Sequence, residues 1–191
     1  MIVSIKKPPR VEKQTKTSIG KLQDIMTRLA KPELEKELGK ILIIDDDEDV
    51  LLAAKMLLKK HAKEVLIEKN PKKIPFLLNN DSYDIILLDM NFSKDITSGK
   101  EGFYWLEQIL DKDPKAVVIL ITAFGDVEMA VKALKAGATD FVLKPWNNDK
   151  LLATVKSAYA LRKSRKEIKK LKQNYKLNYK LNCKLNSKTV N

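Results

Sequence analysis

The 191-residue sequence holds a single cysteine, Cys183, and a single histidine, His61. One cysteine excludes an internal disulfide and any metal centre built on paired thiolates. It suits a reducing cytoplasm, which is the compartment expected. His61 lies near a predicted helix end and reads as an exposed side chain there. Long apolar runs are missing too. A run such as Ala116 to Ala123 is too short to span a bilayer, so no membrane partner is expected. Met1 to Ile5 makes a poor leader, because the apolar stretch is tiny and Pro8-Pro9 follows at once. There is neither a Walker-type phosphate loop nor a helix-turn-helix pattern.

What is present is a core and an uneven charge. Hydrophobic residues make up 44% of the chain, enough for one ordinary domain with extensions. The net charge of +12 is unevenly spread. Residues 1–40 carry 10 Lys and Arg against 5 Asp and Glu, residues 41–161 carry 16 against 19, and residues 162–191 carry 11 against 1. A mildly acidic globule thus stands between two basic arms. Such arms attract nucleic acid or an anionic membrane through counterion release, or serve simply as solvated faces.

Along the chain, Pro8-Pro9 argues for extended backbone, and Ser18 is placed to cap a short helix with Ile19, Leu22, Met26 and Leu29 on one face, interrupted at Pro32. From Lys40 the pattern alternates. Ile41 to Ile44, Glu64 to Glu68, Tyr83 to Leu88, Val117 to Ile121 and Thr139 to Leu143 read as strands. Val50 to Leu58, Pro71 to Leu78, Phe103 to Leu110, Val127 to Ala136 and a long segment from near Asn148 read as helices. Apolar strands without alternation are covered by helices on both faces, and strand–helix repetition predicts a five-stranded, doubly wound parallel α/β sheet. In such sheets ligands bind beyond the carboxyl ends of the strands.

Residues at those ends form a set. Asp45, Asp46 and Asp47 follow the first strand, Asp89 the third, Thr122 the fourth and Lys144 the fifth. Three carboxylates brought together repel, and stay ionised only beside a compensating cation. All-oxygen ligands favour a hard ion, and Mg²⁺ is the natural choice. A carboxylate nucleophile, a metal and donors for phosphoryl oxygens are what an aspartyl-phosphate site requires.

The pieces Ile41-Leu42-Ile43-Ile44-Asp45-Asp46-Asp47, Tyr83 to Met90, Ile121-Thr122-Ala123 and Ala136 to Pro145 follow one another in order, each around a predicted strand end. In this, residues 40–146 resemble the receiver domain of two-component response regulators, in particular that of NtrC-type transcription regulators. The resemblance implies a flavodoxin-like strand order 2-1-3-4-5 and a phosphorylation switch rather than a turnover enzyme. It implies a sensor histidine kinase as partner and Mg²⁺ as cofactor, with transcription as the output. It implies that Asp89 accepts the phosphoryl group, and that Asp45, Asp46, Asp89 and the backbone carbonyl of Asn91 hold the metal. Thr122 and Lys144 would contact the phosphoryl group, Phe141 would be the switch aromatic, and the bond before Pro145 would be cis.

Family members carry a Pro and then a Gly soon after the phosphorylated Asp. Here Met90 to Gly102 is longer and lacks the Pro, resembling a variant loop of NtrC-type receivers; Asp95 within it reads as solvated. Asp47 reads as a helix cap, Trp105 and Trp146 as packing residues, and Gly125 and Gly137 as loop or helix-stop residues. A different class, the haloacid-dehalogenase-type phosphohydrolases, shares an Asp-x-Asp start with Asp45 and Asp47. Asp49 stands where that family expects Thr or Val.

Three regions are therefore expected: an N-terminal extension at 1–39, a receiver domain at 40–160, and a basic helical linker with a low-complexity tail at 161–191. Leu161, Ile168 and Tyr175 recur at seven, a modest coiled-coil signal that points to a homodimer through the last helices. The Lys-Leu-Asn-x repeat from Lys176 drifts around a helix and fixes no face. DNA contact by the basic tail is the alternative use of this arm.

Overall fold

The computed structural model describes residues 37–92, 100–123 and 127–188, with side chains to residue 180. The helix expected after Ser18, and the residues Asp95 and Gly125, lie outside the described residues.

Among the described residues there are five strands: β1 (Leu38–Ile44), β2 (Ala62–Glu68), β3 (Ile85–Asp89), β4 (Val118–Thr122) and β5 (Asp140–Leu143). Five α-helices join and follow them: α1 (Glu48–Leu58), α2 (Ile74–Asn80, after a 3₁₀ turn at Pro71–Lys73), α3 (Lys100–Lys112), α4 (Val127–Lys135) and α5 (Asn148–Lys188). The strands pair in parallel in the order β2-β1-β3-β4-β5.

The alternation of side chains along each strand divides the core in two. Ile41, Ile43, Ile85, Leu87, Ile119 and Ile121 pack on one face with Leu51, Ala54 and Leu58 of α1 and with Leu151, Val155 and Ala158 of α5. Leu42, Ile44, Ile86, Leu88, Val118 and Leu120 pack on the other with Ile74, Leu106, Ile109 and Ala133. Both layers are closed to solvent, and β1 and β3 are buried nearly end to end. Each such side chain contributes about 1.5–3 kcal/mol by leaving water. This central rigidity holds the strand ends in place.

Local chemistry sets the boundaries. Asp47 caps α1, its Oδ1 accepting N–H bonds from Asp49 at 2.9 Å and Val50 at 3.3 Å. Asn70 does the same for the 3₁₀ turn. Gly137 has φ of 101°, a left-handed conformation that ends α4 and that a side chain would strain. β2 begins at Ala62, two residues before the expected Glu64, because Ala62 pairs with Leu38 across the sheet. That register is a tertiary fact with no local signal.

The last helix runs unbroken to Lys188, through the Lys-Leu-Asn repeat. Lys and Leu are good helix formers and nothing in the repeat is a breaker, so backbone helicity persists although no fixed apolar face does.

Candidate functional site

Register gathers the site. Ile44 pairs with Leu88 and Asp89 with Ile121, so Asp45 and Asp89 stand side by side at the ends of neighbouring strands. This is the switch point, where the chain leaves β1 for β2 on one side and returns as β3 on the other. Thr122 ends β4 one step beyond Ile121. Its carbonyl accepts the Lys144 N–H at 2.7 Å, which draws the start of the β5–α5 loop to the same edge. The Lys144–Pro145 peptide is cis.

Asp45 is fully buried, Asp89 is 4% exposed and Thr122 is 5% exposed, whereas Asp46 is exposed. One carboxylate oxygen from each of Asp45, Asp46 and Asp89 lies within 4.8 Å of the others. The ammonium of Lys144 bridges two of them, 2.6 Å from Asp45 Oδ2 and 3.0 Å from Asp89 Oδ1. Asp45 Oδ1 accepts the Asp47 N–H at 3.1 Å. The buried Asp45 Oδ2 has the Lys144 ion pair and no further donor among the described residues.

The electrostatics follow from burial. Loss of water pushes Asp89 up to about 6, the Asp45 charge adds to this, and Lys144 opposes it. Burial likewise raises Asp45 against the pull of Lys144. For Lys144, burial lowers the ammonium, but the hydrogen bond to Asp45 and the charges of both carboxylates outweigh it and hold its pKa above the ordinary value. The pocket is thus an anionic cluster with one resident cation and an outstanding demand for another. Its exposed mouth, at Asp46, is all oxygen. The donor set fits a hard divalent ion such as Mg²⁺.

Phe141 is half-buried beside Thr122 and lines a narrow cleft with Met90, Leu120, Met129, Ala130 and Ala133. Asn91 follows β3 at the same edge, half-buried. The geometry therefore brings together Asp45, Asp46, Asp89 and Lys144, with Thr122 and Asn91 at the rim and Phe141 behind Thr122. Trp146 packs against the α1–α5 core layer, and Trp105 stands edge-on to Tyr104 with ring centroids 4.9 Å apart.

Sequence reasoning missed two supports. Gly102 donates its N–H to the Met90 carbonyl at 3.0 Å, and a Cβ there would come within 2.5 Å of Met90 Cα. It lets α3 touch the backbone directly after Asp89, and nothing in its local sequence signals that approach. Glu101 Oε2, one residue earlier, accepts the Phe92 N–H at 3.2 Å. Arg162, only 8% exposed, is the second support. It ties α5 to the opposite edge of the sheet, reaching the Lys115 carbonyl at 2.5 Å, the Asp113 carboxylate at 2.8 Å and the Tyr83 carbonyl at 3.4 Å. Its spacing from Leu151, Val155 and Ala158 on one helical face was the available signal.

A 2-1-3-4-5 parallel sheet with a lysine-closed acidic pocket at its switch point is the architecture of a signalling receiver. The chain matches the family described as response regulator receiver domain over residues 41–156, more than half its length, and it belongs to that family. It is 30% identical over 136 residues to the regulatory protein AtoC of Escherichia coli strain K12, covering 71% of this chain and 28% of that protein. It is 32% identical over 123 residues to the response regulator protein PilR of Pseudomonas aeruginosa, covering 64% and 26%. Among solved structures, the N-terminal signal receiver domain of a two-component response regulator from Bacteroides fragilis is 40% identical, with a TM-score of 0.58, over 64% of this chain and 97% of that one. NtrX from Brucella abortus is 25% identical with a TM-score of 0.62, over 69% and 29%. The chain spans roughly a quarter of the curated relatives it matches, and the matched part is their receiver portion. It is a two-component response regulator receiver whose relatives are NtrC-type regulators, and no described helix is long and apolar enough to cross a membrane.

Proposed function

We propose that Asp89 accepts a phosphoryl group from the phosphohistidine of a sensor histidine kinase, and that the chain works as a phosphorylation switch towards transcription regulation in the cytoplasm. The observation that carries this reading is the placement of Asp89: a nearly buried carboxylate with Lys144 at 3.0 Å and Asp45 alongside, at an edge opened to solvent by Asp46.

An Asp89 carboxylate oxygen attacks phosphorus in line. A P–O bond forms, the P–N bond breaks, and its electron pair stays on the departing imidazole. Lys144 and Thr122 receive the equatorial oxygens. Asp45, Asp46, Asp89 and the Asn91 carbonyl are the residues that would hold Mg²⁺, which supplies charge neutralisation when bound. Phe141 follows Thr122 as the two settle around the product, and the β4–α4 and β5–α5 units shift population. Residues 40–160 act as the receiver, and residues 161–191 as a helical linker and low-complexity tail through which two copies associate. Against a phosphohydrolase reading with Asp45 as nucleophile stands Asp49, at the position where that family carries Thr or Val.

Treatment with acetyl phosphate or beryllofluoride and Mg²⁺, read by mass and by oligomeric state, tests the reading. With acetyl phosphate, wild type is expected to gain one acid-stable, base-labile phosphoryl group, and with beryllofluoride to undergo the same change of oligomeric state; Asp89→Ala is expected to do neither. Identical behaviour of the two proteins removes the proposal.

A further inference from the structure

Past Arg162, α5 keeps presenting the face with which it packs on the domain, but the domain's acids run out. That face carries Leu151, Val155, Ala158 and Arg162, all buried. Arg162 takes Asp113 and Lys166 takes Asp84. Beyond and beside them, Lys163, Lys169, Lys170, Lys172, Lys176 and Lys180 are exposed and make no ion pair with any described residue. Lys169 acts on Asp113 through its charge alone.

At about 100° per residue these six lysines fall within about half the helix circumference, centred on the domain-packing face. The opposite side carries Leu161, Ile168, Leu171, Tyr175 and Tyr179, between 38% and 75% exposed. Lys166 and Lys170, Lys172 and Lys176, and Lys176 and Lys180 are like charges four apart, which repel along the helix. Glu167 is the one acid among residues 162–191, against 11 bases.

We propose that this basic half of α5 binds the phosphate backbone of double-stranded nucleic acid. The proposal goes beyond the phosphoryl-acceptor reading and does not depend on it. Lysines three to four residues apart advance by about 5–6 Å along the helix, a ladder of cations that a row of phosphates relieves. The tyrosines lie on the other side, so the surface takes backbone rather than stacked single-stranded bases. A bilayer is the poorer fit: the side opposite the lysines has no Trp or Phe to anchor it, and Leu177, 58% exposed, stands among the lysines rather than with the other apolar residues.

The test is fluorescence anisotropy of the full chain with a labelled, mixed-sequence DNA duplex across a salt series. Neutralising about six phosphates gives a log–log salt slope of about −5, so affinity falls about 10³-fold between about 50 and 200 mM salt. The variant Lys169→Gln/Lys172→Gln/Lys176→Gln/Lys180→Gln is expected to bring the slope to about −2. Lys59→Gln/Lys60→Gln/Lys63→Gln/Lys72→Gln, an equal loss of exposed charge from the domain, is expected to leave it unchanged. Arginine at the same four α5 positions should retain binding, which separates charge from damage to the helix. No salt-dependent binding at low salt overturns the proposal, as does equal loss in both glutamine variants. Binding to phosphatidylserine vesicles without binding to the duplex overturns it as well.

Discussion

The Lys144 ammonium lies 3.0 Å from Oδ1 of Asp89, and the same ammonium is 2.6 Å from Oδ2 of Asp45. One cation is shared between two buried anions. That shortfall governs how the pocket responds to pH, to a metal and to mutation.

Asp89 is raised from 3.8 to about 6, mainly by burial. Between about pH 4 and pH 6 the folded chain retains a proton that the unfolded chain has released, so metal-free stability falls as pH rises through this window. The full difference is about 3 kcal/mol above pH 6. Asp89→Asn is therefore expected to raise the metal-free thermal midpoint at pH 7 and to leave it nearly unchanged at pH 4. Calorimetry at the two pH values checks this. Mg²⁺ should narrow the gap at pH 7 by stabilising wild type alone.

Replacing Lys144 by Met keeps much of the bulk and removes the cation. Hydrogen bonds to charged groups contribute about 1.5–3 kcal/mol, so labelling by acetyl phosphate should slow by about 10- to 100-fold. The Asp89 titration should move above about 6, because Lys144 is what holds it down. Carboxyl-carbon NMR reports the second effect directly; an unmoved titration would falsify the assignment of Lys144 as the counter-charge.

Gly102→Ala should gain up to about 1 kcal/mol in helix propensity and lose more in sterics. The new Cβ meets Met90 backbone at 2.5 Å, and backbone yields poorly. Urea unfolding is expected to show a net loss of about 1–3 kcal/mol. The lifetime of the phosphorylated state should change with it, since Met90 adjoins Asp89.

Arg162→Met removes three contacts at the edge opposite the site and leaves Asp113 without its guanidinium. Asp113 is partly exposed, so the cost is about 2 kcal/mol rather than that of a fully buried pair. The thermal midpoint should fall by about 4–8 °C. Labelling of Asp89 should stay within about twofold of wild type, and a larger change would show that the α5 anchorage reaches the site.

The strands were legible because Ile41–Ile44 and Ile85–Leu88 are short, β-branched-rich and apolar without alternation, a pattern that fits a sheet covered on both faces. Asp45, Asp46, Asp89, Thr122 and Lys144 were legible as a group because each follows such a strand. Other features had no local signature. The start of β2 at Ala62 depends on pairing with Leu38, and the glycine at 102 on contact with Met90. A buried Arg162 resembles any basic residue of a basic helix until Asp113 and the carbonyls of Tyr83 and Lys115 are set around it.

By itself, then, the sequence determined the alternating α/β pattern, the family resemblance and the set of polar residues at the strand ends, because hydrophobic period and residue order are local properties. Tertiary structure decided which of those residues share a charge and at what distance. It also decided that Asp89 is held near 6, because desolvation exists only once both core layers have closed over the strands. The direction of α5's basic half was settled in the same way, by which of its side chains the domain had already taken.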